Sequence, residues 1–240
     1  MTLPDYGPAD DDRLHGLSHD ELSKRKRADH DAPTFDTGTT IVAIAVADGV
    51  VMAADQRASL GGKFTTNKNA EKISRVHPTA ALAISGSVGP AQDLIRSLRA
   101  ETNLYESRRD ERMSMRALSQ TAGHLVRGLP VAPILGGVDA EGGHVYELDG
   151  RGSVMATNYA AGGSGMQVAY GVLERQSDPE ATLGEATEVA VAAIEAASER
   201  DTASGNGVTV ATITADGVEI VGLDDGRDAS GSEAAGEEVA

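Results

Sequence analysis

The run Ile-Val-Ala-Ile-Ala-Val-Ala at residues 41–47 constrains the fold more than any other stretch of the chain. It reads as a strand covered by protein on both faces. Asp48-Gly49 follows, a strong hairpin signal, and residues 50–55 read as the returning strand. Upstream the character changes abruptly. Residues 1–38 hold Pro4, Pro8 and Pro33, the basic cluster Lys24-Arg25-Lys26-Arg27, and no hydrophobic period. Gly38-Thr39-Thr40 marks the junction between this polar leader and the apolar run.

The remaining pattern is strands, two helices, strands, two helices, strands. A polar, Gly-rich passage covers Ser59 to Asn69, and residues 79–85 form another small apolar strand. Pro90 opens a helical stretch to about Arg108, and a second runs from about Ser114 to Arg127. Strands are expected at 132–138, 143–148 and 153–159, and a helix after Gly162-Gly163-Ser164-Gly165. A long amphipathic helix ends near Arg200, and a last hairpin turns at Asp216-Gly217. Recurring hairpins exclude the alternating units of a doubly wound sheet. The pattern permits one α+β domain of two packed sheets covered by helices, without selecting it. Residues beyond Leu223 are acidic and rich in Gly, Ser and Ala, the composition of a flexible tail over 224–240.

Composition removes several classes of function. With no cysteine, disulfide, thiol and thiolate-metal chemistry are excluded. The six histidines are scattered without a ligand motif, so no metal is expected. The Gly162–Gly165 segment lacks the Gly-Lys-Ser/Thr ending of a phosphate loop, so no nucleotide or other cofactor is expected. A net charge of −16 argues against nucleic acid as a principal partner. The basic cluster is flanked by Asp20, Glu21, Asp29 and Asp31 and reads as a solvated patch. No apolar run approaches the roughly 20 residues of a membrane span, and the leader lacks the apolar centre of a secretory signal, so a cytoplasmic protein is the plain expectation.

Cleavage after Gly38 would give Thr39 a hydroxyl nucleophile and its own amine base on one residue. A free α-amine, with a reference pKa of about 7.7–8.0, accepts a proton near neutral pH. Asp55, at the end of the second strand, can sit beside the start of the first. Lys72 can return to the same edge, pair with Asp55 and favour loss of the Thr39 proton. Each also has a plain reading, Asp55 as a turn or salt-bridge residue and Lys72 as a surface lysine. The Gly86 N–H can stabilise an oxyanion, or Gly86 is simply a loop glycine. Asp201 and Ser204, three residues apart after a long helix, can orient the Thr39 amine together with Ser164, or they cap a helix-terminating turn.

In order along the chain, Thr37-Gly-Thr-Thr40, Ala54-Asp-Gln-Arg57, Asn67-Lys-Asn-Ala-Glu-Lys-Ile73 and Ile84-Ser-Gly-Ser-Val-Gly-Pro-Ala-Gln92 resemble the motifs of archaeal 20S proteasome β subunits. Gly136-Gly-Val-Asp139, Gly163-Ser-Gly165, Tyr170-Gly-Val-Leu-Glu174 and Arg200-Asp-Thr-Ala-Ser-Gly205 complete a resemblance that covers residues 37–222. It implies the four-layer αββα sandwich of N-terminal nucleophile hydrolases. It also implies a propeptide, residues 1–38, removed by self-cutting at Gly38–Thr39 from a catalytic domain over 39–223. Thr39 would be nucleophile and, through its amine and a water, proton acceptor. Asp55 and Lys72 would be its acidic and basic partners, Ser164, Asp201 and Ser204 the supporting network, and Gly86 the oxyanion donor. Ala58, Ala70, Ile84 and Val88 would wall an apolar pocket for the residue before the cut bond.

The passage Leu60–Asn67 is one residue longer than in some relatives, which makes Lys68 the alternative to Lys72. The implied partners are seven-membered β rings stacked between rings of α subunits, an AAA-type ATPase that feeds the particle, and unfolded protein substrates. Two other readings are a ring-building β subunit without activity and a bacterial-type threonine peptidase subunit working with a hexameric unfoldase.

The acidic excess, 37 Asp and Glu against 21 Lys and Arg, resembles that of proteins from salt-loving archaea. Strong salt screens the self-repulsion of such a surface. The melting temperature should therefore fall as potassium chloride is lowered. A melting temperature independent of salt would contradict this reading of the charge.

Overall fold

The computed structural model describes residues 38–60 and 62–223. The leader and the tail beyond Leu223 lie outside the described residues. β1 (Thr40–Val46) and β2 (Gly49–Asp55) form the first hairpin. Val46 pairs with Gly49, so the turn residues are Ala47 and Asp48, one position earlier than the Asp-Gly signal suggests. β3 (Ala58–Leu60) and β4 (Phe64–Asn67) form a small separate hairpin, and β5 (Ile73–His77) and β6 (Ala80–Gly86) follow. Then come α1 (Val88–Arg109), α2 (Met115–Leu125), β7 (Val131–Asp139), β8 (Gly142–Leu148), β9 (Val154–Thr157) and β10 (Tyr159–Gly163). The chain ends in α3 (Met166–Gln176), α4 (Leu183–Ser198), β11 (Val208–Thr214) and β12 (Gly217–Leu223).

Two five-stranded antiparallel sheets result, ordered β10-β1-β2-β11-β12 and β5-β6-β7-β8-β9. The run at 41–47 explains how they stack. Ile41 and Ala43 enter the core between the sheets, while Val42, Ile44 and Val46 enter the core beneath α3 and α4. In β6, Ala81 and Ala83 face the first sheet, and Ala80, Leu82 and Ile84 face α1 and α2. Strands covered on both faces have no solvent side on which to alternate, so they read as continuous apolar runs. Three cores between four layers make the αββα sandwich, in agreement with the expected fold class.

The segment read as one strand over 153–159 is two strands in different sheets. β9 closes the second sheet and β10 the first, and the chain crosses at Asn158, whose carbonyl accepts the Ala45 N–H at 2.8 Å. β5 and the β3–β4 hairpin are strands that the polar sequence did not suggest. Pro90 sits in the first turn of α1, where its missing N–H has no helical acceptor to lose. Ser114 caps α2, and Asp139 accepts the Met115 N–H at 2.8 Å, which ties that helix to β7.

The sheets approach closely because the residues between them are small. A Cβ at Gly143 would lie 2.5 Å from the Gly49 carbonyl oxygen, a backbone atom that cannot swing aside. Gly143→Ala should therefore cost about 1–3 kcal/mol of stability by forcing the layers apart. Gly89→Ala, whose Cβ would meet nothing within 4 Å, should be neutral or slightly stabilising. Denaturant unfolding of the two variants measures the contrast, and equal midpoints would contradict the packing argument.

Candidate active site

The site lies where ends of the two sheets meet. Antiparallel pairing of β1 with β2 sets Ile41 against Ala54, and continuing that register sets Thr40 against Asp55. Pairing of β1 with β10 sets Thr40 against Gly163, which delivers Ser164 beside Thr39. Val208 pairs with Asp55, so the loop before β11 brings Asp201 and Ser204 to the same end. The second sheet contributes Lys72, one residue before β5, and Gly86, the last residue of β6.

Asp55 is fully buried and accepts four donors. Its Oδ1 takes the Lys72 Nζ at 2.6 Å and the Thr40 N–H at 2.8 Å. Its Oδ2 takes the Arg57 N–H at 3.1 Å and the Gly205 N–H at 2.9 Å. A buried carboxylate is tolerable only when its lone pairs are filled in this way. Burial also pushes the Lys72 amine below the usual lysine value, although Asp55 pulls in the other direction. Lys68 is exposed and takes no part.

The Thr39 hydroxyl donates to the Gly38 carbonyl oxygen at 2.8 Å, and Lys72 Nζ approaches the same oxygen at 3.5 Å. On the other side, the Thr39 N–H donates to Ser164 Oγ at 3.2 Å. Ser164 and Ser204 both donate to Asp201 Oδ2, at 2.5 and 2.7 Å. Ala203 fits tightly against the junction, since a Cβ at Gly38 would lie 1.8 Å from the Ala203 Cβ and 2.7 Å from its Cα. Only glycine passes there.

Thr39, Gly86 and the four expected pocket residues, Ala58, Ala70, Ile84 and Val88, line one cleft of about 420 Å³. Ile84 is buried, whereas Val88 is half-exposed at the rim. Ala91 and Ile95 of α1 also line this cleft. Gly86 adopts φ +113°, and a Cβ there would lie 2.5 Å from the Pro130 carbonyl oxygen, so the backbone path beside Thr39 requires glycine. A larger cleft of about 560 Å³ around His77, Arg112 and Asp139 shares no residue with this one. No cluster of three or more metal-binding side chains occurs among the described residues.

Two contributors carried no role in the sequence reading. Arg57 clamps the loop that bears Asp201, through Nε to Asn206 Oδ1 at 2.8 Å and through its guanidinium to the Thr202 carbonyl at 2.9 Å. Thr40 bonds to Asp55 through its backbone and to Ser204 through its hydroxyl. The register of the first hairpin is the signal that would have placed Thr40 opposite Asp55.

Residues 35–213 match the proteasome subunit family. The proteasome subunit beta 1 of Haloarcula marismortui is 57% identical over 191 residues, which span 78% of this chain and 80% of that protein. The proteasome subunit beta of Halorhabdus utahensis is 56% identical, over 80% of this chain and 84% of the relative. That of Halobacterium salinarum is 57% identical over 78% of each. With its four-layer fold and matches of this breadth, the chain belongs to the proteasome subunit family, among the beta subunits of halophilic archaea, which are threonine-type endopeptidases.

Proposed function

We propose that this chain is the catalytic subunit of its particle, made as an inactive precursor that cuts itself between Gly38 and Thr39. One observation carries the reading. The Thr39 hydroxyl lies 2.8 Å from the carbonyl oxygen of the bond to be cut, between the Asp55–Lys72 pair and the Ser164–Asp201–Ser204 network. In the precursor the Thr39 nitrogen is an amide and cannot act as a base. Lys72, with its depressed pKa, is the group suited to take the hydroxyl proton. The Thr39 oxygen then attacks the Gly38 carbonyl carbon, the bond from that carbon to the Thr39 nitrogen breaks as Lys72 gives the proton to the nitrogen, and the acyl group passes from nitrogen to oxygen. Water hydrolyses the resulting ester, releasing residues 1–38 with a terminal carboxylate and leaving Thr39 with a free amine.

That amine, acting through a water, serves as proton acceptor when Thr39 attacks a substrate peptide. The substrate oxyanion lies against the Gly86 N–H, and the leaving amine departs before water frees the acyl-enzyme. The walls Ala58, Ala70, Ile84 and Val88 favour an apolar residue before the cut bond, although Glu71, Ser74 and Gln92 also line the cleft. As partners we propose α subunits and six further β subunits in each ring, with a regulatory ATPase supplying unfolded cytoplasmic proteins. The Gly38–Thr39 junction would separate the propeptide from the catalytic domain at 39–223, and 224–240 would form the acidic tail.

N-terminal sequencing and peptide hydrolysis of particles assembled with the α subunit test this reading. Wild type should begin at Thr39 and cut reporters after apolar residues, and Thr39→Ala should do neither. Retention of residues 1–38 by active wild-type particles would refute it. Gly38→Ala should slow self-cutting by about 100-fold, because Ala203 forces the carbonyl out of place. Lys72→Ala should slow it by about 100-fold or more. In wild type, self-cutting should accelerate with rising pH below the ordinary lysine pKa, as Lys72 loses its proton. A flat pH profile would remove Lys72 from the role of base.

A further inference from the structure

Thr40 bonds to both halves of the site. Its backbone N–H donates to Asp55 Oδ1 at 2.8 Å, and its hydroxyl lies 2.8 Å from Ser204 Oγ. Both Thr40 and Ser204 are fully buried. The space is tight as well, since a Cβ at Gly165 would fall 2.1 Å from the Thr40 hydroxyl oxygen.

Proton counting gives the network a direction. A hydroxyl has one hydrogen to donate, and an ionised carboxylate only accepts. Ser204 gives its hydrogen to Asp201 Oδ2 at 2.7 Å, and Ser164 gives its own to the same oxygen at 2.5 Å in preference to the Thr39 carbonyl at 3.3 Å. The second carboxylate oxygen takes the Ala203 N–H at 3.1 Å. The bond between Thr40 and Ser204 therefore runs from Thr40 to Ser204. Every hydroxyl points toward Asp201, and Ser164 turns a lone pair toward the Thr39 nitrogen 3.2 Å away.

We propose that Thr40 is a positioning residue for the reaction at Thr39, and that its hydroxyl, by donating to Ser204 Oγ, holds Ser204 in place as a donor to Asp201. This rests on the reading of Thr39 as nucleophile. After self-cutting, an amine facing a Ser164 lone pair donates one N–H to it and keeps its own lone pair for the Thr39 proton. Were Ser164 to donate toward the amine instead, that lone pair would be consumed. Loss of the Thr40 hydroxyl leaves the buried Ser204 Oγ without that donor, and the hold on the Ser204–Asp201 bond beside Ser164 is weakened.

The test compares assembled particles carrying Thr40→Val, Thr40→Ser, Ser204→Ala and the Thr40→Val/Ser204→Ala double variant, with Thr39→Ala alongside. T40V should lower kcat for a reporter peptide by about 10-fold and leave KM within about two-fold, as expected for a group acting through the proton acceptor. T40S, which keeps the hydroxyl, should restore kcat. The double variant should be no slower than S204A alone, because Thr40 acts through Ser204. Wild-type kcat in T40V, failure of T40S to restore it, or independent losses in the double variant would overturn the proposal. If T40V does not assemble, Thr40→Ala removes the hydroxyl without adding bulk and is judged by the same outcomes. Activity in T39A equal to wild type would overturn the nucleophile assignment itself, a distinct result.

Discussion

The buried carboxylate of Asp55 is the constraint around which the site is built. Its four donors come from the start of β1, the turn after β2, the loop before β11 and, through Lys72, the second sheet. An uncompensated charge at that depth would cost several kcal/mol, so each donor segment is held to its place by the need to satisfy it. The Lys72–Asp55 bond crosses between the sheets, and the accuracy of the site thus depends on how closely the two sheets pack. Small residues such as Ala43, Ala54, Ala81 and Ala83 between them allow that approach.

The same constraint would separate the two roles proposed for Thr39. As an internal residue it has a hydroxyl and an amide, and Lys72 is the neighbouring group whose pKa burial lowers. As a first residue it would gain an amine held on the far side by Ser164. On the proposed reading one constellation would serve both states, because Lys72 and Ser164 approach Thr39 from opposite neighbours, the Gly38 carbonyl and the Thr39 nitrogen. The contact of Gly38 with Ala203 sets the carbonyl between them.

Much of the fold was legible in the sequence, for physical reasons. β1, β2, β6 and β7 are covered on both faces and announce themselves as apolar runs, and the four helices carry a helical period. β5 leaves no apolar run in the sequence because Ile-Ser-Arg-Val-His is half polar and bulged between Arg75 and His77. β3 and β4 bury too little to leave a pattern, with Phe64 67% exposed. The crossing at Asn158 carries neither glycine nor proline, so one strand was read where two sheets are joined. For the site, proximity of Asp55 to Thr39 followed from the hairpin. The arrival of Lys72, Ser164, Asp201 and Ser204 depends on how strands far apart in sequence pair, which local periodicity does not report. The resemblance to β subunits supplied that part.

The proposed chemistry rests on a hydroxyl and a free amine carried together by Thr39. Mild periodate oxidation tests it most directly, because periodate cleaves a 1,2-amino alcohol and an N-terminal threonine is one. Intact mass of the subunit and peptide hydrolysis would be followed together in assembled particles. Thr39 should convert to a terminal glyoxylyl group, with release of acetaldehyde and ammonia, and activity should fall in proportion. Full hydrolysis after complete conversion, or active particles with no oxidisable terminus, would contradict it.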